Sequence, residues 1–250
     1  MSAVYILWLR QVKRYLRSPP RIIASLGQPL LFLVALGFGF APIFQRAGQG
    51  NYIQFLSPGV IGMTILFTAT FSGMELIWDR QFGFLKETLV APVPRVLVMI
   101  GRTLGGATVA MIQGLIVIAI CLVAGFRMTN FQALPVAVVF MVLVSIMFTA
   151  MGTAIASVIS DFQAFQLIIN FLVMPIFFLS GALFPLTNLP RLLDVIAGID
   201  PLSYGVDGLR IALIGASQAR FGVGLDLVVL SVIAAVLMGA GSYLFSKIQL

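Results

Sequence analysis

Residues 135–159 read Pro-Val-Ala-Val-Val-Phe-Met-Val-Leu-Val-Ser-Ile-Met-Phe-Thr-Ala-Met-Gly-Thr-Ala-Ile-Ala-Ser-Val-Ile, without one charged side chain. A helix crossing hydrocarbon needs about 20 predominantly apolar residues, so this stretch is long enough to span a membrane. It lacks the alternation over about ten residues that marks a barrel strand. Working outward, five further runs have the same character: 22–44, 58–78, 96–126, 165–184 and 225–245. The whole chain fits that reading, because 60% of its 250 residues are hydrophobic and 9% are charged, against about 25% charged in soluble domains. The sequence therefore predicts an all-α membrane protein with six transmembrane helices in one domain, 1–250.

Scarce ionisable groups exclude much chemistry. There is no histidine, one cysteine (Cys121) and eight acids, so zinc sites, Ser/His/Asp triads, Cys/His pairs and disulfide frameworks have no material, and no metal or catalytic residue is expected. The net charge of +7 sits beside apolar runs and reads as membrane-surface anchoring, with membrane lipid rather than nucleic acid as the partner. The first run follows Arg10, Lys13, Arg14, Arg17 and Arg21 and has no small-residue cleavage site behind it, so it is expected to be a retained span.

Basic residues stay on the cytoplasmic side. With the N-terminus inside, Arg10, Lys13, Arg14, Arg17, Arg21, Arg80, Lys86, Arg95, Arg102 and Lys247 are cytoplasmic, and Arg46, Arg127, Arg191, Arg210 and Arg220 are outside. Both termini are thus expected in the cytoplasm. Within 1–21, Tyr5, Trp8, Leu9, Val12 and Leu16 form one helical side and Arg10, Lys13, Arg14 and Arg17 the other, which predicts an interfacial helix ended by Ser18-Pro19-Pro20. Small residues at four-residue spacing mark helix-packing faces: Gly37 and Ala41, Gly101 and Gly105, Gly152 and Ala156, Ala235 and Gly239. In the external loop 185–224, Leu189, Leu192, Leu193 and Ile196 share a helical face, and apolar density continues through Ile199, Leu202 and Leu209. That pattern predicts a re-entrant helical hairpin.

The cytoplasmic segment 79–95 reads Asp-Arg-Gln-Phe-Gly-Phe-Leu-Lys-Glu-Thr-Leu-Val-Ala-Pro-Val-Pro-Arg. Phe82, Leu85 and Leu89 share one face, Asp79 suits an N-cap and Pro92 stops the helix. A capped amphipathic helix between two spans is suited to docking in a partner's groove. The segment resembles the coupling helix of ABC-2 type transporter permeases through Asp79, Arg80, Gly83, Leu85, Glu87, Leu89, Pro92, Pro94 and Arg95, with Lys86 where an acid is frequent. Leu179-Ser180-Gly181-Ala182-Leu183-Phe184-Pro185, Pro190, Asp200-Pro201-Leu202-Ser203-Tyr204 and Arg210 are similar to the end of span five and the external hairpin of that family. Tyr52-Ile53-Gln54-Phe55-Leu56-Ser57-Pro58-Gly59 is similar to the start of span two in its drug-resistance and lipo-oligosaccharide members.

The resemblance implies an exporter of amphipathic, drug-like or lipid-linked substrates in the cell (inner) membrane. It implies a second, identical permease subunit and a separate ATP-binding cassette subunit that holds ATP and Mg. In agreement, the sequence contains no Gly-x4-Gly-Lys-(Ser/Thr) loop. The ATPase-coupling residues would be Asp79, Arg80, Phe82, Gly83, Leu85, Lys86, Glu87 and Leu89. Glu75 and Arg102 flank that segment and are expected to pair and transmit its motion. Gln113 reads as an interhelical hydrogen-bonding group, and Asn170, Phe177 and Phe178 as candidates for the substrate path. A lipid-modifying membrane enzyme and an ATP-independent carrier remain the alternative readings of these residues.

Overall fold

The computed structural model describes residues 2–46, 50–90, 92–129, 131–186, 190–215 and 219–248, without the side chain of Leu89. Twelve α-helices and no strand occur among them. Helix α1 is Ala3–Leu16, α2 Pro19–Gly39, α3 Ala41–Arg46, α4 Tyr52–Phe71, α5 Met74–Gln81, α6 Phe84–Val90 and α7 Arg95–Val123. Then follow α8 Leu134–Val158, preceded by a 3-10 turn at Phe131–Ala133, α9 Phe162–Leu179, α10 Arg191–Ile199, α11 Pro201–Ile214 and α12 Val223–Ser246. Six stretches are long and apolar enough to cross a membrane: α2, Tyr52–Gln81, α7, Phe131–Val158, α9 and α12. The chain is a multi-pass membrane protein with the six spans that its apolar runs predict.

Several boundaries shift for local reasons. The first run bends at Phe40, so Phe44 belongs to the separate α3, which carries Pro42 in its first turn. The second span begins before Pro58, where Asn51 accepts the Ile53 N–H as N-cap. Pro58 sits inside the helix, and the Ser57 hydroxyl bonds the Ile53 carbonyl at 2.7 Å. Span five ends at Leu179 because Gly181 adopts φ +74°, a conformation that glycine alone adopts at no steric cost.

Helix α4 forms the centre and is the most buried span, packing on α7, α8, α2 and α11. Hydroxyls within the spans bond their own helix: Thr64 to the Val60 carbonyl, Thr70 to Leu66, Thr153 to Thr149 and Ser157 to Thr153. They therefore need no partner from lipid. Gln113 crosses between helices as expected, accepting from Thr68 Oγ1 at 2.7 Å and donating to Ser25 Oγ.

Helix α1 differs from a helix lying on lipid alone. Val4 and Leu7 contact Gly101 of α7, Gln11 lies on Gly105, and Trp8 Nε1 donates to Thr108 Oγ1 at 2.9 Å. One of the small-residue pairs thus seats α1. Tyr5, Ile6 and Leu16 remain exposed on its other side. Gly152 meets the Thr70 carbonyl and Gly73 meets the Gly152 carbonyl, so the α4–α5 junction and α8 touch backbone to backbone. Gly239 has no atom within contact range of its missing Cβ, and its face looks outward.

These environments predict opposite outcomes for one substitution. Gly152→Ala should cost about 1–3 kcal/mol or more, since backbone cannot yield as a side chain does. Gly239→Ala should be neutral or gain up to ~1 kcal/mol in helix propensity. Thermal unfolding of both variants in detergent micelles checks the contrast; equal midpoints would contradict the close crossing.

Candidate functional site

The α4 chain direction carries on through Ser72-Gly73 into α5, which delivers two acids, Glu75 and Asp79, to one place. Asp79 is therefore not the N-cap of a helix over 79–90. It lies inside α5, 5% exposed, where Oδ2 accepts from Arg102 of α7 and Oδ1 from Arg10 of α1 at 3.1 Å. Glu75 accepts from Arg21 of α2 at 2.8 Å, and Arg14 of α1 stands 4.0 Å away. The predicted Glu75–Arg102 ion pair does not form. The two residues line the same depression with Leu7, Arg10, Gln11, Arg14 and Asp79, but the extra turn from Glu75 to Asp79 brings Asp79 to Arg102.

Four arginines from three helices thus share two carboxylates. Arg102, also 5% exposed, is the buried member. Sequence reasoning missed Arg10, Arg14 and Arg21 as partners because they sit far along the chain and read as lipid anchors. Four-residue spacing on α1 and α5, Arg10 with Arg14 and Glu75 with Asp79, was the signal present. Close by, Tyr15 is buried without a partner for its hydroxyl among the described residues. Burial holds its phenol above the ordinary pKa, against the opposing charge of Arg21.

Beyond α5 the backbone turns at Gly83, φ +80°, which separates α5 from α6 and divides the expected single helix into two. The expected common face divides with it. Leu85 is 1% exposed and belongs to the chain's own core, whereas Phe82 is 74% exposed. Leu89 has its side chain outside the described residues. Phe84, Lys86, Glu87 and Val90 are exposed, and neither Lys86 nor Glu87 forms an ion pair among the described residues. Arg80 donates to the Ser157 carbonyl at 3.2 Å. Arg95 donates to the carbonyls of Ser246 and Ile248 at 2.6 and 2.8 Å, placing a cation at the C-terminal end of α12, where the helix dipole favours one.

At the opposite end the other two motif stretches meet. The Tyr52 hydroxyl donates to the Leu183 carbonyl at 2.8 Å, and Gly59 lies directly on the backbone of Ala182. Arg210 of α11 stands 4.1 Å from the Phe55 ring centroid and donates to the Gly181 carbonyl at 2.9 Å. Two helices, α10 and α11, follow span five as expected, with Leu189 and Gln218 outside the described residues. Asp200 caps α11 through the Leu202 N–H at 2.9 Å. Burial pushes its carboxyl up to about 7, opposed by the hydrogen bonds from Leu202 and Ser203.

The residues proposed for a substrate path separate. Phe177 is buried against Phe32 and Phe67, which makes it core. Phe178 and Phe171 are exposed on α9, and Asn170, half-buried at the edge of that face, has no hydrogen bond among the described residues. No cluster of three or more His, Cys, Asp or Glu side chains that could hold a metal ion is present among the described residues.

Several known proteins are similar to most of this chain. A protein named as a transport permease, ycf38, of Pyropia yezoensis is 32% identical over 216 residues, 84% of this chain and 73% of the relative. Nodulation protein J of Rhizobium leguminosarum bv. trifolii is 26% identical over 198 residues, covering 78% and 74%. The inner membrane transport permease YadH of Escherichia coli (strain K12) is 24% identical over 222 residues, covering 86% and 84%. The model of the ABC-2 type transporter family matches residues 2–214, from the α1 helix that closes the arginine cluster to the end of α11, and the chain belongs to that family.

Proposed function

We propose that this chain is the permease subunit of an ATP-driven exporter that moves an amphipathic, drug-like or lipid-linked substrate outward, and that it binds no nucleotide itself. ATP and Mg sit on a separate ATP-binding cassette subunit, and a second copy of this chain completes the pathway. Both termini face the cytoplasm of a cell whose inner membrane holds the protein. The observation that carries this reading is the α5–α6 segment. It exposes Phe82, Phe84 and Val90 beside Lys86 and Glu87, an apolar surface with charges at its edge, next to the arginine-rich end, whose Arg10 guanidinium stands 5.8 Å from the Phe84 ring centroid.

Closure of the ATPase pair would displace α6, and α5 would pass the displacement through Asp79 and Glu75 to α1, α2 and α7. A ligand shifts such an equilibrium by its differential affinity for the two states, so the ATPase must bind one position of α6 better than the other. At the far end, the α10–α11 hairpin re-enters the outer leaflet, with α11 packed on α4, α8 and α12 and α10 on α9 and α11.

Phe82→Asp and Val90→Asp should abolish copurification of the ATPase, because a charge would have to enter an apolar groove. Both residues are exposed, so membrane insertion should persist. Retained copurification, with ATP hydrolysis in lipid unchanged, would refute the docking surface. Leu85→Asp is a poor test, since it breaks the core first.

The ion cluster gives a second expectation. Asp79→Asn leaves the buried Arg102 short of its carboxylate and should destabilise the protein by about 3–5 kcal/mol. Glu75→Gln removes pairs with arginines that are 42% exposed and should cost no more than about 1 kcal/mol. Unfolding in detergent should show strong non-additivity between Asp79→Asn and Arg102→Gln, and near additivity between Glu75→Gln and Arg102→Gln. The reverse pattern would restore the Glu75–Arg102 pair.

A further inference from the structure

Three side chains on four consecutive positions of α5 grip the turn between α8 and α9. The Trp78 indole stacks on the ring of Phe162, the first residue of α9, with centroids 6.0 Å apart and planes 7° from parallel. Arg80 donates to the carbonyl of Ser157 in the last turn of α8. Gln81 Nε2 reaches the carbonyl of Ser160 at 3.5 Å, the long limit of a hydrogen bond. Asp161 accepts the Ala164 N–H at 2.6 Å and so starts α9 beside the stack. Trp78 also lies under the guanidinium of Arg14, 5.9 Å from the ring centroid. The indole is therefore shared between the arginine cluster on one side and the beginning of α9 on the other.

Helix α9 is suited to receive motion. Only 22% of its span is buried, against 72% for the span containing α4. Its inward contacts run along one stripe, Phe165, Ile169, Val173 and Phe177, and Leu167, Phe171 and Phe178 face outward. A helix held by one stripe tilts as a unit with little repacking of the core, since tightly packed interfaces move between discrete arrangements and rigid elements transmit the change. A flat aromatic pair at its first residue gives a stiff contact without an ion to be solvated.

We infer that Trp78 and Phe162 are positioning residues that transmit displacement of the α5–α6 segment to α9, a second output of the coupling segment beside the arginine cluster. The inference rests on the proposed docking of an ATPase on that segment. It assigns a role to an aromatic contact that neither the ion pairs nor the docking surface use. Arg80 and Gln81 hold the α8–α9 turn against α5, so the stack bears on α9 rather than slipping past it.

The test uses the complex of this chain with its copurified ATPase in lipid nanodiscs, with Cys121→Ser and spin labels on introduced cysteines. A label at Thr88→Cys on α6, a half-buried position apart from the exposed docking residues, reports whether ATP with Mg moves the coupling segment. A pair at Gln166→Cys on α9 and Tyr243→Cys on α12, both exposed positions, reports by distance measurement whether α9 moves. The expected result is that ATP changes both signals in the parent, and that Phe162→Ala loses the α9 shift but keeps the α6 response. Phe162→Tyr, which retains the flat ring, should restore it. Trp78→Leu guards against misfolding caused by the Phe162 change, and it should lose the α9 shift in the same way. An α9 shift that survives both Phe162→Ala and Trp78→Leu, with α6 still responding, would overturn the inference alone. Failure of the ATPase to copurify, or an α6 label indifferent to ATP, would overturn the docking reading and this inference with it.

Discussion

The close approach of α4 and α5 to their neighbours is the constraint on which the rest of the structure depends. At Gly59 the helix meets the backbone of Ala182, and at Gly73 the junction to α5 meets the backbone of Gly152. In lipid there is no hydrophobic gain from bringing two apolar helices together, so packing contact and interhelical hydrogen bonds must hold them. Small residues at these crossings permit that contact. Because α4 lies among α2, α7, α8 and α11, its two ends also fix where the polar groups of the chain assemble. The Tyr52 and Phe55 end gathers Leu183, Gly181 and Arg210, and the Glu75 and Asp79 end gathers the arginines.

Charge burial at the α5–α6 end follows from the same placement. A guanidinium as buried as that of Arg102 is costly to leave unpaired, and the Asp79 carboxylate beside it offsets much of that cost. The other three arginines keep over a third of their side-chain surface exposed, so their contacts are individually weak. One strong buried pair thus fixes α5 on α7, while weaker pairs attach α1 and α2. The order of strengths follows burial rather than the number of ion pairs.

Long apolar runs made the spans legible, because composition over about 20 residues outweighs any local signal. Gln113 was legible too, since an amide deep in an apolar helix needs a partner on another helix. What escaped was direction. Asp79 has the chemistry of an N-cap, but a preceding helix that ran on into α5 turned it into an ion-pair partner. Leu85 and Phe82 look equivalent on a single helix, and the positive φ of Gly83 rotates one into the core and the other out. Phe177 and Phe178 are adjacent in sequence and opposite in fate, because helical periodicity says which residues share a face and not which face looks inward. The arginine partners on α1 left only a matching four-residue spacing in the sequence, Arg10 with Arg14 and Glu75 with Asp79, since nothing local encodes a contact between residues 10 and 79.

The two ends of the bundle differ in how readily their contacts exchange. At the Tyr52 end the acceptors for Tyr52 and Arg210 are backbone carbonyls, those of Leu183 and Gly181, and Gly59 lies against Ala182. A carbonyl in a fixed turn has one position, and the contact is lost if its donor moves. At the α5 end, two carboxylates face four guanidinium groups, each with five donors in a planar fork, and three of those side chains are long and partly solvated. An arginine there can leave one carboxylate oxygen and take another without stranding either charge. Charge surplus therefore lets α1 and α2 exchange partners on α5 at small cost, while the Asp79–Arg102 pair and the Gly73–Gly152 contact hold α5 on α7 and α8. At the other end a displacement would break hydrogen bonds to fixed carbonyls. The asymmetry leaves exchangeable ion pairs at the end that bears the exposed α6 surface, and fixed carbonyl acceptors around Arg210.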